Sequence, residues 1–200
     1  ANGALSHGGR YLAYSSMIPL NGGNRNWDFR VYDCVKKTSW SITPALDYDS
    51  KFGFPIPTWS HNDSQVITAL PLTEGWFLYS IPREGGAAEL LEDQVFRTWD
   101  ADASSDGRWV LFDNWKNYSE LYVVNISTKI VTSLFPGQAL VAYCPSLSPN
   151  GKQFCYSGAV DWTVASTHGL DIYVADFSPY VAKLAGKAEK GPAEFALSQN

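Results

Sequence analysis

Nothing in the 200-residue sequence approaches the roughly 20 consecutive apolar residues that a membrane-spanning helix needs, and no charged-then-apolar leader opens it. Positive charge is scarce. Fifteen Lys and Arg against 20 Asp and Glu leave a net charge of −5 at pH 7. A nucleic-acid binder carries a basic patch, and close pairs such as Lys36-Lys37 read as solvated strand ends, so nucleic acid is not an expected partner. Cysteine is limited to Cys34, Cys144 and Cys155. With no Cys-x-x-Cys and no Cys-x-x-Cys-His, zinc-ribbon and c-type haem sites are excluded. Cys144 and Cys155 flank Pro149-Asn150-Gly151 and are expected nearly opposite each other in a hairpin, where either a cross-strand disulfide or two packed thiols fits. Gly-x-Ser-x-Gly, P-loop, His-Glu-x-x-His and EF-hand patterns are all missing. Asn21-Gly22-Gly23-Asn24 is the nearest glycine-rich loop, and it lacks the following Lys-Ser/Thr and helix. No catalytic residue, cofactor or metal is therefore expected. No segment sustains apolar residues at i, i+3, i+4 and i+7, so helices are not expected either.

What is present is aromatic and repetitive. Hydrophobic residues make up 45% of the chain, charged residues 18% and aromatic residues 14%, with eight Trp. That permits a sizeable core and favours strands, whose pleated surfaces suit aromatic and β-branched side chains. Three N-x-S/T sequons, at Asn62, Asn117 and Asn125, carry meaning only in a eukaryotic secretory pathway.

Four segments superimpose: Ala4-Leu5-Ser6-His7-Gly8-Gly9-Arg10-Tyr11, Thr58-Trp59-Ser60-His61-Asn62-Asp63-Ser64-Gln65, Asp102-Ala103-Ser104-Ser105-Asp106-Gly107-Arg108-Trp109, and Ser146-Leu147-Ser148-Pro149-Asn150-Gly151-Lys152-Gln153. Their serines stand at 6, 60, 104 and 148, so the intervals are 54, 44 and 44 residues. The first is lengthened by an insertion near Asn21–Asn26. Ser-x-(Asn/Asp/Gly)-Gly is a tight-turn pattern. A strand is expected after each turn, at Tyr11–Tyr14, Gln65–Leu70, Trp109–Phe112 and Gln153–Tyr156. A second follows at Phe29–Asp33, Trp76–Ile81, Glu120–Asn125 and Asp171–Asp176. A weaker, more polar one closes each copy at Ser39–Thr43, Ala88–Leu91, Ile130–Leu134 and Val181–Leu184. Innermost strands precede three of the turns, at Phe54–Trp59, Val95–Ala103 and Ala139–Leu147. Ala1–Leu5 reads as too short for a full one. About four strands per 44 residues is the signature of a β-propeller blade. The expected fold is all-β, about four four-stranded blades over 1–47, 52–93, 94–137 and 138–186. Residues 187–200 then begin a further repeat or supply a ring-closing strand, because Glu194-Phe195-Ala196-Leu197-Ser198 matches the opening of the repeat.

Leu147-Ser148-Pro149-Asn150-Gly151-Lys152, followed by Leu170-Asp171-Ile172-Tyr173-Val174-Ala175-Asp176, resembles the WD40-like (PD40) repeat of TolB-type propellers. That repeat reads Trp-Ser-Pro-Asp-Gly-Lys and then an Asp-Ile-Tyr-Val strand. The third copy carries it as Ala103-Ser104-Ser105-Asp106-Gly107-Arg108 and Glu120-Leu121-Tyr122-Val123-Val124-Asn125. The second keeps Trp59-Ser60 but has no Gly. The resemblance covers residues 4 to about 185. It implies a propeller, part of a six- to eight-bladed ring or closed on itself, and a periplasmic or extracellular location. It does not fix function, because such repeats serve binding proteins, peptidase gates and lyases alike.

Ligands of propellers bind on the loop-rich face opposite the serine turns, or at the central channel. The expected loop-face residues are Asn26, Trp27, Trp76, Arg97, Trp99, Asn114, Trp115, Asp161, Trp162 and His168. Exposed Trp beside Asn, Asp and Arg either stacks on sugars, anchors a protein, or caps blade edges. Asp100 and Asp102 share one face of an inner strand and are the candidate channel carboxylates, for a cation, for acid–base work or for blade-joint hydrogen bonds. The leading functional reading is a non-catalytic, protein-binding scaffold, a subunit or domain of an extracytoplasmic assembly, whose partner is another protein or the remainder of a larger propeller. The alternatives are the propeller domain of a peptidase or polysaccharide lyase, and a glycan-binding module using the loop tryptophans.

Overall fold

A computed structural model describes residues 3–19, 25–43, 56–72, 75–92, 98–114, 120–136 and 140–184. They form a succession of antiparallel sheets. The first runs β1 (Gly3–Leu5), β2 (Tyr11–Pro19), β3 (Arg25–Asp33) and β4 (Thr38–Ser41), in that spatial order. The second is β5 (Thr58–Trp59), β6 (Gln65–Leu72), β7 (Gly75–Pro82) and β8 (Glu89–Leu90). The third is β9 (Ala101–Ala103), β10 (Trp109–Asn114), β11 (Glu120–Asn125) and β12 (Val131–Ser133). The fourth contains β13 (Val141–Leu147), β14 (Gln153–Ala159) and β15 (Asp171–Asp176). Each sheet is a meander, and every strand pairs with its sequence neighbour.

The shared serine has a direct physical cause. Its hydroxyl oxygen accepts the backbone N–H five residues on, in all four copies: Tyr11 at 3.1 Å and Gln65, Trp109 and Gln153 at 3.0 Å each. In three copies the hydroxyl also donates to an Asn or Asp two residues on, namely Asn62, Asp106 and Asn150. That same oxygen accepts the N–H of Ser64, Arg108 or Lys152. The next residue is left-handed, with φ of 72° at Gly107 and 65° at Gly151. Glycine takes that region without a Cβ penalty. Asp63 holds the same place at φ 55° with a side chain.

Packing is between consecutive sheets, as a propeller requires. Ala13, Phe29 and Val31 of the first meet Trp59, Val66, Leu70, Tyr79 and Ile81 of the second. Ile67 and Leu78 meet Val110, Phe112 and Val124 of the third. Leu111, Leu121 and Val123 meet Phe154, Tyr156 and Tyr173 of the fourth. Sheets covered on both faces explain why the middle strands read as near-continuous apolar runs.

Three expectations are corrected. Blade one does have its own inner strand. Gly3–Leu5 pairs with Tyr14–Leu12, and three residues suffice because the third sheet's inner strand is equally short. The closing strand expected at Val181–Leu184 is instead helical: α2 spans Ser178–Leu184. A first short helix, α1 (Trp162–His168), also interrupts the β pattern, held by Asp161, whose carboxylate accepts the Val164 N–H at 2.8 Å. Lastly, a bulge between Tyr143 and Ser146 pairs Cys155 with Ser146 rather than with Cys144. Cys34, Cys144 and Cys155 are all free thiols. The repeat beginning in residues 187–200 lies outside the described residues.

At the start of the first sheet, Arg10 donates to the buried Asp33 through Nε and an Nη, at 3.2 and 2.8 Å. Asp33 also accepts the N–H groups of Val35 and Lys36, at 2.8 and 3.0 Å. Arg10 first, and the two backbone donors after it, draw this carboxyl from its ordinary 3.8 down to about 2. A depressed folded-state pKa contributes stability above the ordinary value, and that contribution disappears as pH falls. Asp33→Asn is expected to show a shallower loss of stability than the wild type between about pH 4 and pH 2, followed by urea titration at each pH. Parallel curves would refute this.

Candidate functional site

Inner strands of neighbouring blades run side by side. Ile56 and Asp100 form a parallel bridge, and the Ile56 N–H donates to the Trp99 carbonyl at 3.1 Å. Two carboxylates and a thiol cluster where the second, third and fourth blades meet. Asp102 accepts the Thr58 hydroxyl at 3.2 Å from the second blade, and the Ser146 hydroxyl at 3.1 Å and Leu147 N–H at 2.8 Å from the fourth. Its two oxygens thus join three blades. Asp100 accepts the Cys144 thiol at 3.1 Å. Cys144 sits at the bulge with φ 50°. Burial, and then the adjacent Asp100 carboxylate, push this thiol up to about 12. Near neutral pH it is a hydrogen-bond donor to Asp100. Behind this cluster, the buried Asp113 accepts the N–H groups of Trp99 and Asp100, at 2.8 and 3.1 Å, and so sets the entry of β9.

The turn face has its own joints. Asp63 reaches back to the first blade and accepts the N–H of His7 at 2.8 Å, the N–H of Gly8 at 2.9 Å and the His7 ring Nδ1 at 2.9 Å. Although partial burial opposes it, these bonds hold the Asp63 carboxyl below the usual range. The Ser105 hydroxyl donates to the Pro149 carbonyl at 2.7 Å, linking the third and fourth blades. Sequence reading did not find Asp63, although a non-glycine residue at the glycine position of the turn was the available signal. Asp63→Gly relieves about 1 kcal/mol of backbone cost but deletes three bonds to an anion, worth more together. A net destabilisation of about 1–2 kcal/mol is expected from urea denaturation, and a net gain would show that the joint contributes nothing.

Of the expected loop-face residues, Trp76, Trp99, Asn114, Asp161 and His168 have described side chains. Trp76 is buried, and its ring lies 5.2 Å from that of the half-buried Trp99, tilted by 42°. That pair spans the second and third blades. Asn114 is buried. Asp161 is the exposed cap of α1, and the exposed His168 in its last turn has its Nδ1 2.7 Å from the Thr167 hydroxyl. Arg97 and Trp115 lie outside the described residues, as do the side chains of Asn26, Trp27 and Trp162. Among the described residues no three His, Cys, Asp or Glu side chains are placed to hold a metal ion, and no helix is long and apolar enough to cross a membrane.

No family model matches the sequence, and no curated protein matches it. Solved structures do match. TolB from Acinetobacter baumannii superimposes with a TM-score of 0.66 at 18% identity, over 84% of this chain and 39% of that one. A putative TolB from Agrobacterium tumefaciens gives 0.68 at 17% identity, over 88% and 61%. A Mycobacterium tuberculosis puromycin-hydrolyzing peptidase gives 0.62 at 15% identity, over 87% and 26%. The chain spans less than two thirds of each. The serine-turn meanders, the face-to-face packing of successive sheets and these superpositions identify the chain as an array of blades with the TolB-like β-propeller fold.

Proposed function

We propose that this chain is a non-catalytic propeller unit that mediates protein–protein contact within a larger extracytoplasmic assembly. The observation that carries this reading is the use of Asp102. The inner-strand carboxylate most suited to chemistry has its oxygens engaged with Thr58, Ser146 and Leu147, at the joint of three blades. A carboxylate engaged in this way positions strands and is not open to a substrate. The partner-binding surface in this reading is the loop end of the blades, around Trp99. Retrieval of the tagged chain from its own cells is expected to bring a stoichiometric protein that rebinds the purified chain, and Trp99→Ala is expected to weaken that binding. Retrieval of the chain alone would overturn the proposal.

A second reading, the propeller domain of a peptidase, is favoured by one observation: chains of solved peptidases share the fold, with TM-scores of 0.62. Peptide hydrolysis by the full natural protein, lost in Asp102→Ala or His168→Ala with the fold intact, would favour it over the first.

A further inference from the structure

At the turn end, each blade sets its serine turn against the turn of the blade that follows. Ser6 and Ser60 are each followed by a histidine, His7 and His61. The residue facing that histidine is the third after the next blade's serine, Asp63 in the first joint and Gly107 in the second. The spacing of the two joints is alike. A Cβ built on Gly8 would lie 3.3 Å from Asp63 Oδ2, and one built on Gly107 would lie 3.4 Å from His61 Cβ.

These two joints of the same form are satisfied differently. In the first, the successive N–H groups of His7 and Gly8 and the His7 ring Nδ1 all meet the Asp63 carboxylate, at 2.8, 2.9 and 2.9 Å. Successive backbone N–H groups of this kind make an anion-binding concavity. In the second joint the equivalent N–H groups belong to His61 and Asn62, again with an imidazole on the first of them. Gly107 has no side chain to offer them. Among the described residues neither N–H meets an acceptor. Both residues are exposed, so a ligand can reach them. Asp106, beside Gly107 in the chain, is engaged by the Ser104 hydroxyl and by Arg108 Nε, each at 2.7 Å, and the guanidinium offsets its charge. The third joint lacks this set. Ser105 stands there in place of the histidine, and Asp106 brings its own negative charge to the second N–H.

We propose that His61 and Asn62 bind a carboxylate supplied from outside the chain, as His7 and Gly8 bind that of Asp63. The molecule carries its own template for the site, with the same turn and the same ring in the same place over the joint. The acid is either an Asp or Glu side chain of a protein that docks on the turn end, or a small free carboxylate. Trp99 lies at the opposite end of the blades, so this site stands or falls separately from the partner reading above.

Backbone amide NMR spectra of the full natural protein test it. They are titrated with sodium acetate and, separately, with acetyl-Asn-Asp-Ser-amide, the sequence around Asp63. Water competes at an exposed site, so the expected dissociation constant for acetate is about millimolar. The His61 and Asn62 resonances are expected to move along saturable curves, with those of His7 and Gly8 unmoved. Peptide binding at least as tight as that of acetate assigns a protein side chain as the ligand. Acetate binding with weaker peptide binding assigns a small free acid. Gly107→Asp places a carboxylate where the first joint has Asp63, and is expected to abolish the response to acetate with the circular dichroism of the wild type. Asp63→Gly is expected to do the reverse and make His7 and Gly8 responsive. His61→Ala keeps both N–H groups, loses the ring, and is expected to weaken acetate binding about tenfold. Resonances of His61 and Asn62 that respond to neither acetate nor peptide would overturn the proposal. So would an equal response to sodium chloride, or a Gly107→Asp protein that folds and still binds acetate as the wild type does.

Discussion

Trp59→Ala is expected to remove about 3–5 kcal/mol of folding stability. The indole is buried between the first two blades, with Tyr11 6.2 Å away between ring centroids and Val66, Leu70 and Ile81 in the same core cluster. It is also a polar anchor. Its ring N–H donates to the Ala4 carbonyl at 2.8 Å, across the blade joint. Truncation leaves a large cavity and an unpaired carbonyl, and the sheets on either side are paired strands that cannot collapse into the space. A domain of this kind has only about 5–15 kcal/mol in total, so the variant should unfold at a much lower urea concentration. Trp59→Phe separates the two contributions. It keeps most of the ring volume and loses the hydrogen bond, and a loss of about 1–2 kcal/mol is expected. Circular dichroism is the appropriate probe, since the substitution removes a fluorophore. A loss under about 1 kcal/mol for Trp59→Ala would mean that the first blade is not docked on the second through this residue.

The strand that carries Trp59 was readable in the sequence, because Trp-Ser opens a repeat. The bond to Ala4 was not readable. It depends on the twist between two sheets, which no pattern within one blade encodes. The same division holds elsewhere. Ser6, Ser60, Ser104 and Ser148 recur because each closes its own turn, a local requirement that leaves a mark at fixed spacing. Asp63 departs from that mark because its side chain serves the neighbouring blade's turn and not its own. The α2 helix was missed for a different reason. Val181 and its neighbours have strand character, but Ser178-Pro179 places a proline in the first turn of a helix, where its missing N–H costs nothing. Phe177 and Tyr180 then reach the core beside Phe154. Tertiary burial of two aromatics outweighed a weak local preference for extended backbone.

The candidate loop site was less legible than the fold. Trp recurs along the sequence with no indication of which indole is inside. Trp76 and Trp99 were both expected on the loop face, yet the structure buries Trp76 and leaves Trp99 half-exposed. A surface aromatic and a blade-edge aromatic follow the same alternation in the strand. Only the position of the adjacent blade distinguishes them.

Asp102 is the residue on which the functional reading turns, and Asp102→Ala is expected to cost about 2–4 kcal/mol. The Leu147 N–H loses a charged acceptor at 2.8 Å within a partly buried joint, while the hydroxyls of Thr58 and Ser146 lose theirs. The hydroxyls can rotate toward water and recover part of the loss, whereas the fixed backbone donor cannot. Leu147 N–H therefore dominates the expected cost. Double-mutant cycles make this specific. Asp102→Ala with Ser146→Ala, and Asp102→Ala with Thr58→Val, are each expected to show a coupling of about 1 kcal/mol. Such coupling would place the carboxylate in the mechanical joint between the second, third and fourth blades. The opposite pattern has an equally definite meaning. Unchanged stability, no coupling and a lost activity would show that Asp102 is available to a substrate. The chain would then be the catalytic or gating part of an enzyme and not a scaffold.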